Sequence, residues 1–471
     1  MPDFLKYVLY ELKNSITLVL LAAILALAVL AIAYFVHKRK HKGRKKFPWA
    51  SVFLWLAFLG YLLIVLYATM LRWSGFFHRE WNLHLFRAWR EAWNNFSAKN
   101  WANVLLNVAM FVPLGFLLPL LGKAFRRWYV TIPVGFGASL AIELLQLAMG
   151  RGICDVDDLF CNTLGAVIGF LIVMTVLSAF NGKGNRAKPA VIYGGLSLVF
   201  VLAVGSVFVA YHVKEYGNLP SAAAYTTNTS GTQWHLDCVL PKADTEIPVY
   251  RTQTRTIEEC DAFAEDFRKL VGTQYTTISY YQEAAYYMDQ SGDENGTHFL
   301  FVSYMDPSYE YSFGRGDDPV WCDTDRQTLE AALSHLPVFI PEYAIFTAEG
   351  DGWHTFSVKQ HIDGAVMVDG TLRCRYAEDG TVRKVDNSLL SYTYHDTVSI
   401  LSPQEAFTQL RNGKFGDGGF FERKKPADVY VLSCELGYEI DTKGFYQPVY
   451  YFAVASKDGT YEYRIMIPAM K

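Results

Sequence analysis

The chain has little of what builds a zinc protein or a disulfide-stapled secreted domain. Its seven cysteines, Cys154, Cys161, Cys238, Cys260, Cys322, Cys374 and Cys434, include no CxxC pair. That argues against a structural zinc site and against a dense bridge framework, although one or two bridges stay open and spacing alone does not pair them. No GxSxG serine occurs in residues 1–213, so the activated serine of many hydrolases is missing from the apolar half. No apolar run of membrane-spanning length follows His212.

Apolar residues, by contrast, are plentiful: they make up 51% of the 471 positions, and mean hydropathy is positive. Six runs, at 15–36, 49–71, 104–121, 128–149, 159–180 and 190–212, approach the roughly 20 residues that a bilayer-crossing helix needs. The third contains Pro113 and Gly115, which membrane helices tolerate when neighbours satisfy the freed backbone groups. The first run is long, lacks a small-residue cleavage signature and precedes its basic cluster, so it reads as a retained helix.

Charge changes sign where the apolar runs end. Residues 1–213 hold 21 Lys and Arg against 8 Asp and Glu, and the remainder holds 22 against 38. The basic residues sit in short loops between apolar runs, which is a topological signal and no sign of nucleic-acid binding. The loop "HKRKHKGRKKFP" carries seven Lys and Arg and is therefore assigned to the cytoplasm. By alternation "GKAFRR" and "NGKGNRAKP" also lie inside. The N-terminus, the "GRGICDVDD" loop and the acidic tail then lie outside. Trp81, Leu85, Trp89 and Trp93 recur every four residues, the spacing of an amphipathic helix lying along the headgroups.

This topology gathers polar residues at the outer surface. Glu143 and Gln146 share a face near the end of the fourth run, followed by Gly150 and Arg151. Asp155, Asp157 and Asp158 precede the fifth run, where acidic groups favour a helix N-terminus. Along that run Asp158, Asn162, Gly165 and Gly169 form one stripe, polar above and small below, so the glycines admit a neighbouring helix. Asn103 and Asn107 have the same spacing at the outer end of the third run. An ionisable residue inside a bilayer costs roughly 2.5–3.5 kcal/mol on insertion scales, which makes Glu143 the leading functional candidate. Neither a metal nor a cofactor is expected.

These residues resemble the VanZ-like family of bacterial membrane proteins over about residues 50–180. The likeness rests on "NLHLF" at 82–86, "NVLLNVAMFVPLGFLLPLL" at 103–121, "IELLQL" at 142–147 and "GRGICDVDDLFCNTLGAVIG" at 150–169. It points to Asn103, Asn107, Pro113, Gly115, Glu143, Gln146, Arg151, Asp155, Asp157, Asp158, Asn162 and Gly165. The family core is a shorter protein of four or five helices, and His84 stands where a more apolar residue is common. The resemblance implies a cell-envelope role and reduced susceptibility to teicoplanin-type glycopeptides, and it specifies no reaction.

The tail reads as α+β. "TIEE" at 256–259 and "SPQE" at 402–405 are capping boxes, the second with Pro403 opening its helix. Residues 366–385 and 447–468 alternate around Asp-Gly turns at 379 and 458, as antiparallel hairpins do. The pattern is similar to PepSY-like and YycI-like extracytoplasmic modules. The Tyr-rich stretches 275–288 and 303–314 suit either strands or a binding face.

The expected architecture is a membrane helical bundle of about six spans followed by an α+β extracytoplasmic domain with antiparallel sheets. Its parts are an N-terminal helix and basic loop at 1–48, a VanZ-like region at 49–180, a sixth helix at 181–212, and a tail at 213–471 of two or three PepSY-like or cystatin-like units. The leading expectation is a multi-pass envelope protein without demonstrated catalysis. Its outer polar site would engage a glycopeptide or a lipid-linked wall precursor in the bilayer, while the acidic tail meets envelope proteins. The alternatives are a membrane enzyme acting on lipid or wall precursors, and a sensor working through the tail.

Overall fold

The computed structural model describes residues 34, 38–39, 48–71, 78–180, 187–222, 226–242, 245–281, 283–289, 296–314, 319–416, 421, 426–456 and 462–471. The expected first span and most of its basic loop fall outside them. Two compact units emerge, Met1–Ala92 with Asn100–Lys214, and Trp93–Lys99 with Glu215–Lys471.

The first unit is helical. Its elements are α1 (Trp49–Leu66), β1 (His78–Asn82), α2 (Arg87–Asn95) up to Ala92, α3 (Ala98–Leu121) from Asn100, α4 (Trp128–Met149), β2 (Arg151–Asp155), α5 (Val156–Phe180) and α6 (Ala187–Val213). Five helical spans among the described residues are long and apolar enough to cross a membrane: Trp49–Thr69, Ala98–Leu121, Trp128–Met149, Val156–Phe180 and Pro189–Val213. Their outward faces carry bare apolar side chains such as Phe53, Val191 and Leu198, surface that a bilayer covers and water does not. The chain is a multi-pass membrane protein.

Glycine sets how closely these helices approach. A Cβ added at Gly165 would sit 2.0 Å from the Val108 carbonyl oxygen, one at Gly169 2.0 Å from that of Val112, and one at Gly115 2.0 Å from that of Ala166. Helices α3 and α5 therefore touch backbone to backbone along the stripe expected from the sequence. Phe111, Leu114 and Leu118 of α3 pack with Phe58 and Tyr61 of α1 and Ile142 of α4. Helix α3 continues through Pro113 and Pro119.

The amphipathic helix expected around residues 81–93 takes a different form. Only Arg87–Asn95 is helical, bracketed by Phe86 and Phe96 at positive φ (66° and 41°). Trp81 instead lies on β1, which pairs in parallel with β2 in the register His78↔Arg151 to Asn82↔Asp155. The four-residue recurrence is real but spans a strand, a turn and a helix.

The second unit is a 14-stranded, mainly antiparallel sheet with helices packed on it, the α+β class expected of the tail. Strands β6 (Ala284–Met288), β7 (Thr297–Ser303), β8 (Tyr309–Gly314), β10 (Trp353–Asp363), β11 (Val366–Tyr376) and β12 (Val382–Asn387) share one core with α7 (Ile257–Val271) and α8 (Arg326–Leu333). A second core lies under α9 (Pro403–Arg411), against β13 (Leu390–Ile400), β14 (Asp428–Ile440), β15 (Phe445–Ala455) and β16 (Glu462–Pro468). Both capping boxes form: Thr256 accepts from Glu259 N–H and Ser402 from Glu405 N–H, with the glutamates reaching back to the cap amides. The turn at Asp379 joins β11 to β12, with Gly380 at φ 82°. Strands β15 and β16 pair antiparallel, while their turn lies outside the described residues. The Tyr-rich stretches build strands, and Tyr287 and Tyr311 enter the core.

Candidate functional site

Helix α4 ends at Gly150, whose left-handed φ of 65° lets its N–H reach back to the Gln146 and Leu147 carbonyls. The chain then runs five residues as β2 and re-enters helix at Val156. This tight reversal sets the end of α4 beside the start of α5, and most of the candidate residues collect there.

Glu143 is 3% exposed, and its Oε2 accepts the Asp155 backbone N–H at 3.0 Å. Asp155 caps α5, its Oδ1 accepting the Asp157 N–H at 2.8 Å, while its Oδ2 accepts from Asn82 Nδ2 at 2.9 Å. Burial raises the Asp155 carboxyl above the usual carboxylate range, against the lowering pull of these hydrogen bonds and of Arg87. Asp157 is fully buried and serves a second helix: its Oδ1 accepts the Phe86 N–H at 2.5 Å and its Oδ2 the Ala88 N–H at 2.7 Å, capping α2 from another segment. Asn107 donates from its side-chain amide to Asp158 Oδ1, joining α3 to α5.

One turn further along, Asn162 Nδ2 donates to Ser139 Oγ at 3.0 Å, tying α5 to α4 between two side chains that are 2% and 0% exposed. The other end of that amide, Asn162 Oδ1, is buried without a hydrogen-bond partner. An acceptor left so costs about 1–3 kcal/mol. Gln146 donates to the Thr69 carbonyl at 3.0 Å, where α1 widens over Tyr67–Leu71 into a π-helical turn.

Thus Asn107, Glu143, Asp155, Asp157, Asp158 and Asn162 come together. Gln146 binds nearby to α1. Asn103 is exposed on α3 and makes none of these contacts. Arg151 lies on β2, and its side chain is outside what is described. Pro113, Gly115, Gly165 and Gly169 serve the α3–α5 approach.

Four participants were not singled out as site residues from the sequence. Asn82 sits inside a quoted motif but carries no charge. The Phe86 and Ala88 amides belong to the backbone, and a positive φ at phenylalanine leaves no mark in the sequence. Ser139 reads as a packing serine until its partner across the helix pair is seen. No Lys, Arg or His forms an ion pair with Glu143, Asp155, Asp157 or Asp158 among the described residues. Nor does any set of three or more His, Cys, Asp and Glu among them converge as a metal site would. The cluster is therefore rich in acceptors, and the hydrogen bonds it receives come from amides.

Residues 49–178 match the VanZ/LLP1 family model. No curated protein matches the chain. Among solved structures, the C-terminal domain of YpeB from Bacillus megaterium is similar at 13% identity, covering 46% of this chain and 95% of that one, with a TM-score of 0.19.

Proposed function

We propose, from the VanZ/LLP1 match over residues 49–178, that this is a VanZ-type protein of the bacterial cell envelope whose acceptor cluster binds a lipid-linked or glycopeptide ligand at the outer membrane surface. The family link to teicoplanin resistance supplies the phenotype. The observation that carries the reading is Glu143, 3% exposed on a membrane helix and without an ionic partner among the described residues. A charged side chain at the centre of a membrane helix costs roughly 2.5–3.5 kcal/mol on insertion scales, which makes such a residue a functional candidate.

The chemistry narrows the ligand class. Carboxylates and an amide oxygen accept hydrogen bonds, so the complementary partner donates them, as the hydroxyls and amines of a glycan or a lipid headgroup do. In this reading the acidic tail meets wall components or envelope proteins outside.

The test is susceptibility to teicoplanin in a host expressing the full chain, compared with Glu143→Gln at matched membrane abundance. Loss of the protein's effect on the inhibitory concentration is expected. An unchanged concentration would refute the reading. Gly137→Ala, at a site where an added Cβ meets nothing within 4 Å, controls for substitution in the same helix.

A further inference from the structure

Two cysteines of the sheet unit are brought together by a register detail that their spacing hides. Strand β3 (Gln233–Leu236) pairs in parallel with β14, from Gln233↔Asp428 to Leu236↔Val431, and Asp237 N–H extends the ladder to the Val431 carbonyl at 3.0 Å. On β14 the core-facing residues Val429 and Val431 are fully buried. One residue later the strand bulges, because Leu432 has no counterpart on β15 and the register shifts between Val431 and Ser433. That extra residue moves the next core-facing position from 433 to Cys434, opposite the buried Phe452.

Trp234 on β3 faces the same core, and Cys238, in the bend just past the end of β3, packs against it together with Cys434. Cys238 thus lies two residues beyond the last paired residue of β3 and Cys434 three beyond that of β14, both against the same core. Neighbouring strands lie about 4.8 Å apart, within the roughly 4.4–6.8 Å that a disulfide spans between Cα atoms.

We propose that Cys238 and Cys434 are a disulfide-forming pair that fastens the edge strand β3, and the chain leading into it from the membrane, to β14. Both thiols are free in the structure. Burial lifts the Cys434 thiol to about 12, and the sulfur of Cys238 adds to the shift, which places the two groups within electrostatic reach. Cys238, the less deeply buried, attacks first.

Its thiolate opens an external disulfide, such as oxidised glutathione or a thiol–disulfide oxidoreductase, and expels one thiol. Cys434 then loses its proton and displaces the second thiol from the mixed disulfide. Two protein thiols are oxidised, and the external disulfide is reduced to two thiols. The remaining cysteines of the unit, Cys260, Cys322 and Cys374, belong to other parts of the fold.

The proposal is independent of the membrane site and is tested on the full-length protein in detergent. The protein is equilibrated with oxidised glutathione, quenched with acid and N-ethylmaleimide, digested without reduction and mapped by mass spectrometry. The expected result is a Cys238–Cys434 cross-linked peptide as the majority form, abolished by reduction. Cys434→Ala should instead leave Cys238 as a mixed disulfide with glutathione. Recovery of both wild-type residues as alkylated or glutathionylated thiols would overturn the proposal, as would bonding of either to Cys260, Cys322 or Cys374.

Discussion

At the scale of single residues, the most demanding position in the membrane unit is Asp157. Its two oxygens each accept a backbone N–H at the start of α2 while the residue itself is fully buried. An asparagine keeps one acceptor and turns a donor towards the other N–H, so Asp157→Asn should cost about 1 kcal/mol, and Asp157→Ala about 2 kcal/mol. Thermal midpoints of the purified protein check the ranking, and faster amide exchange at residues 86–90 would locate the loss. In the sheet unit, Asp379 accepts from the Thr381 hydroxyl at 2.5 Å and pairs with the buried Arg383 at 2.8 Å. These partners, Thr381 first, hold its carboxyl down at about 2 against an ordinary 3.8. A depressed carboxyl stabilises the fold above its unfolded value, and that contribution fades as pH falls from about 4 towards 2. Asp379→Asn should therefore flatten the acid-unfolding profile of the β11–β12 hairpin in that window and leave its shape above pH 5 unchanged. Amide exchange of the hairpin as a function of pH measures this. Carboxylates were legible in the sequence because a charge in an apolar run is conspicuous. The amides that answer them were not, since any residue carries one.

At the scale of elements, the α3–α5 pair rests on glycine. Gly165→Ala must push the Val108 carbonyl away from a Cβ otherwise 2.0 Å distant, and overpacking of this kind costs about 1–3 kcal/mol. Gly137→Ala, on α4, meets open space and should leave the thermal midpoint unchanged. A drop shared by both variants would sink the distinction. The glycine stripe could be read in advance because small residues four apart have one use in a membrane helix. The capping boxes around α7 and α9 were equally legible, since each is a local contract between residues three apart. Strand β1 was not: five residues of mixed polarity acquire strand geometry only from β2, some seventy positions later. The shortened α2 has the same cause, because its first turn is capped by Asp157 and not by a neighbour in sequence. The four-residue recurrence of Trp81, Leu85, Trp89 and Trp93 thus gave a helix that starts about one turn and a half too early.

At the scale of the whole molecule, the division into a helical membrane unit and an acidic sheet unit followed from hydropathy and charge alone. Five of the six expected spans correspond to described helices, with ends that differ by up to six residues, because the bilayer sets their length, while the first lies outside the described residues. The 14-stranded order of the second unit was beyond reach, since sheet neighbours are chosen by packing across long separations. The proposed outward placement of that unit has a direct test. Ile345, 67% exposed, can be changed to cysteine and challenged in intact cells with a membrane-impermeant maleimide. Labelling before lysis is expected, and labelling only after lysis would reverse the topology. The pairing of β1 with β2 also bears on biosynthesis. Asn82, the Phe86 amide and Asn107 all find their acceptors on Asp155, Asp157 and Asp158, residues translated 51 to 73 positions later. While the ribosome is still reading α4, those acceptors have not been made, so the site cannot close before the start of α5 emerges. A chain stalled before residue 155 would leave these donors without the carboxylates that receive them in the folded protein.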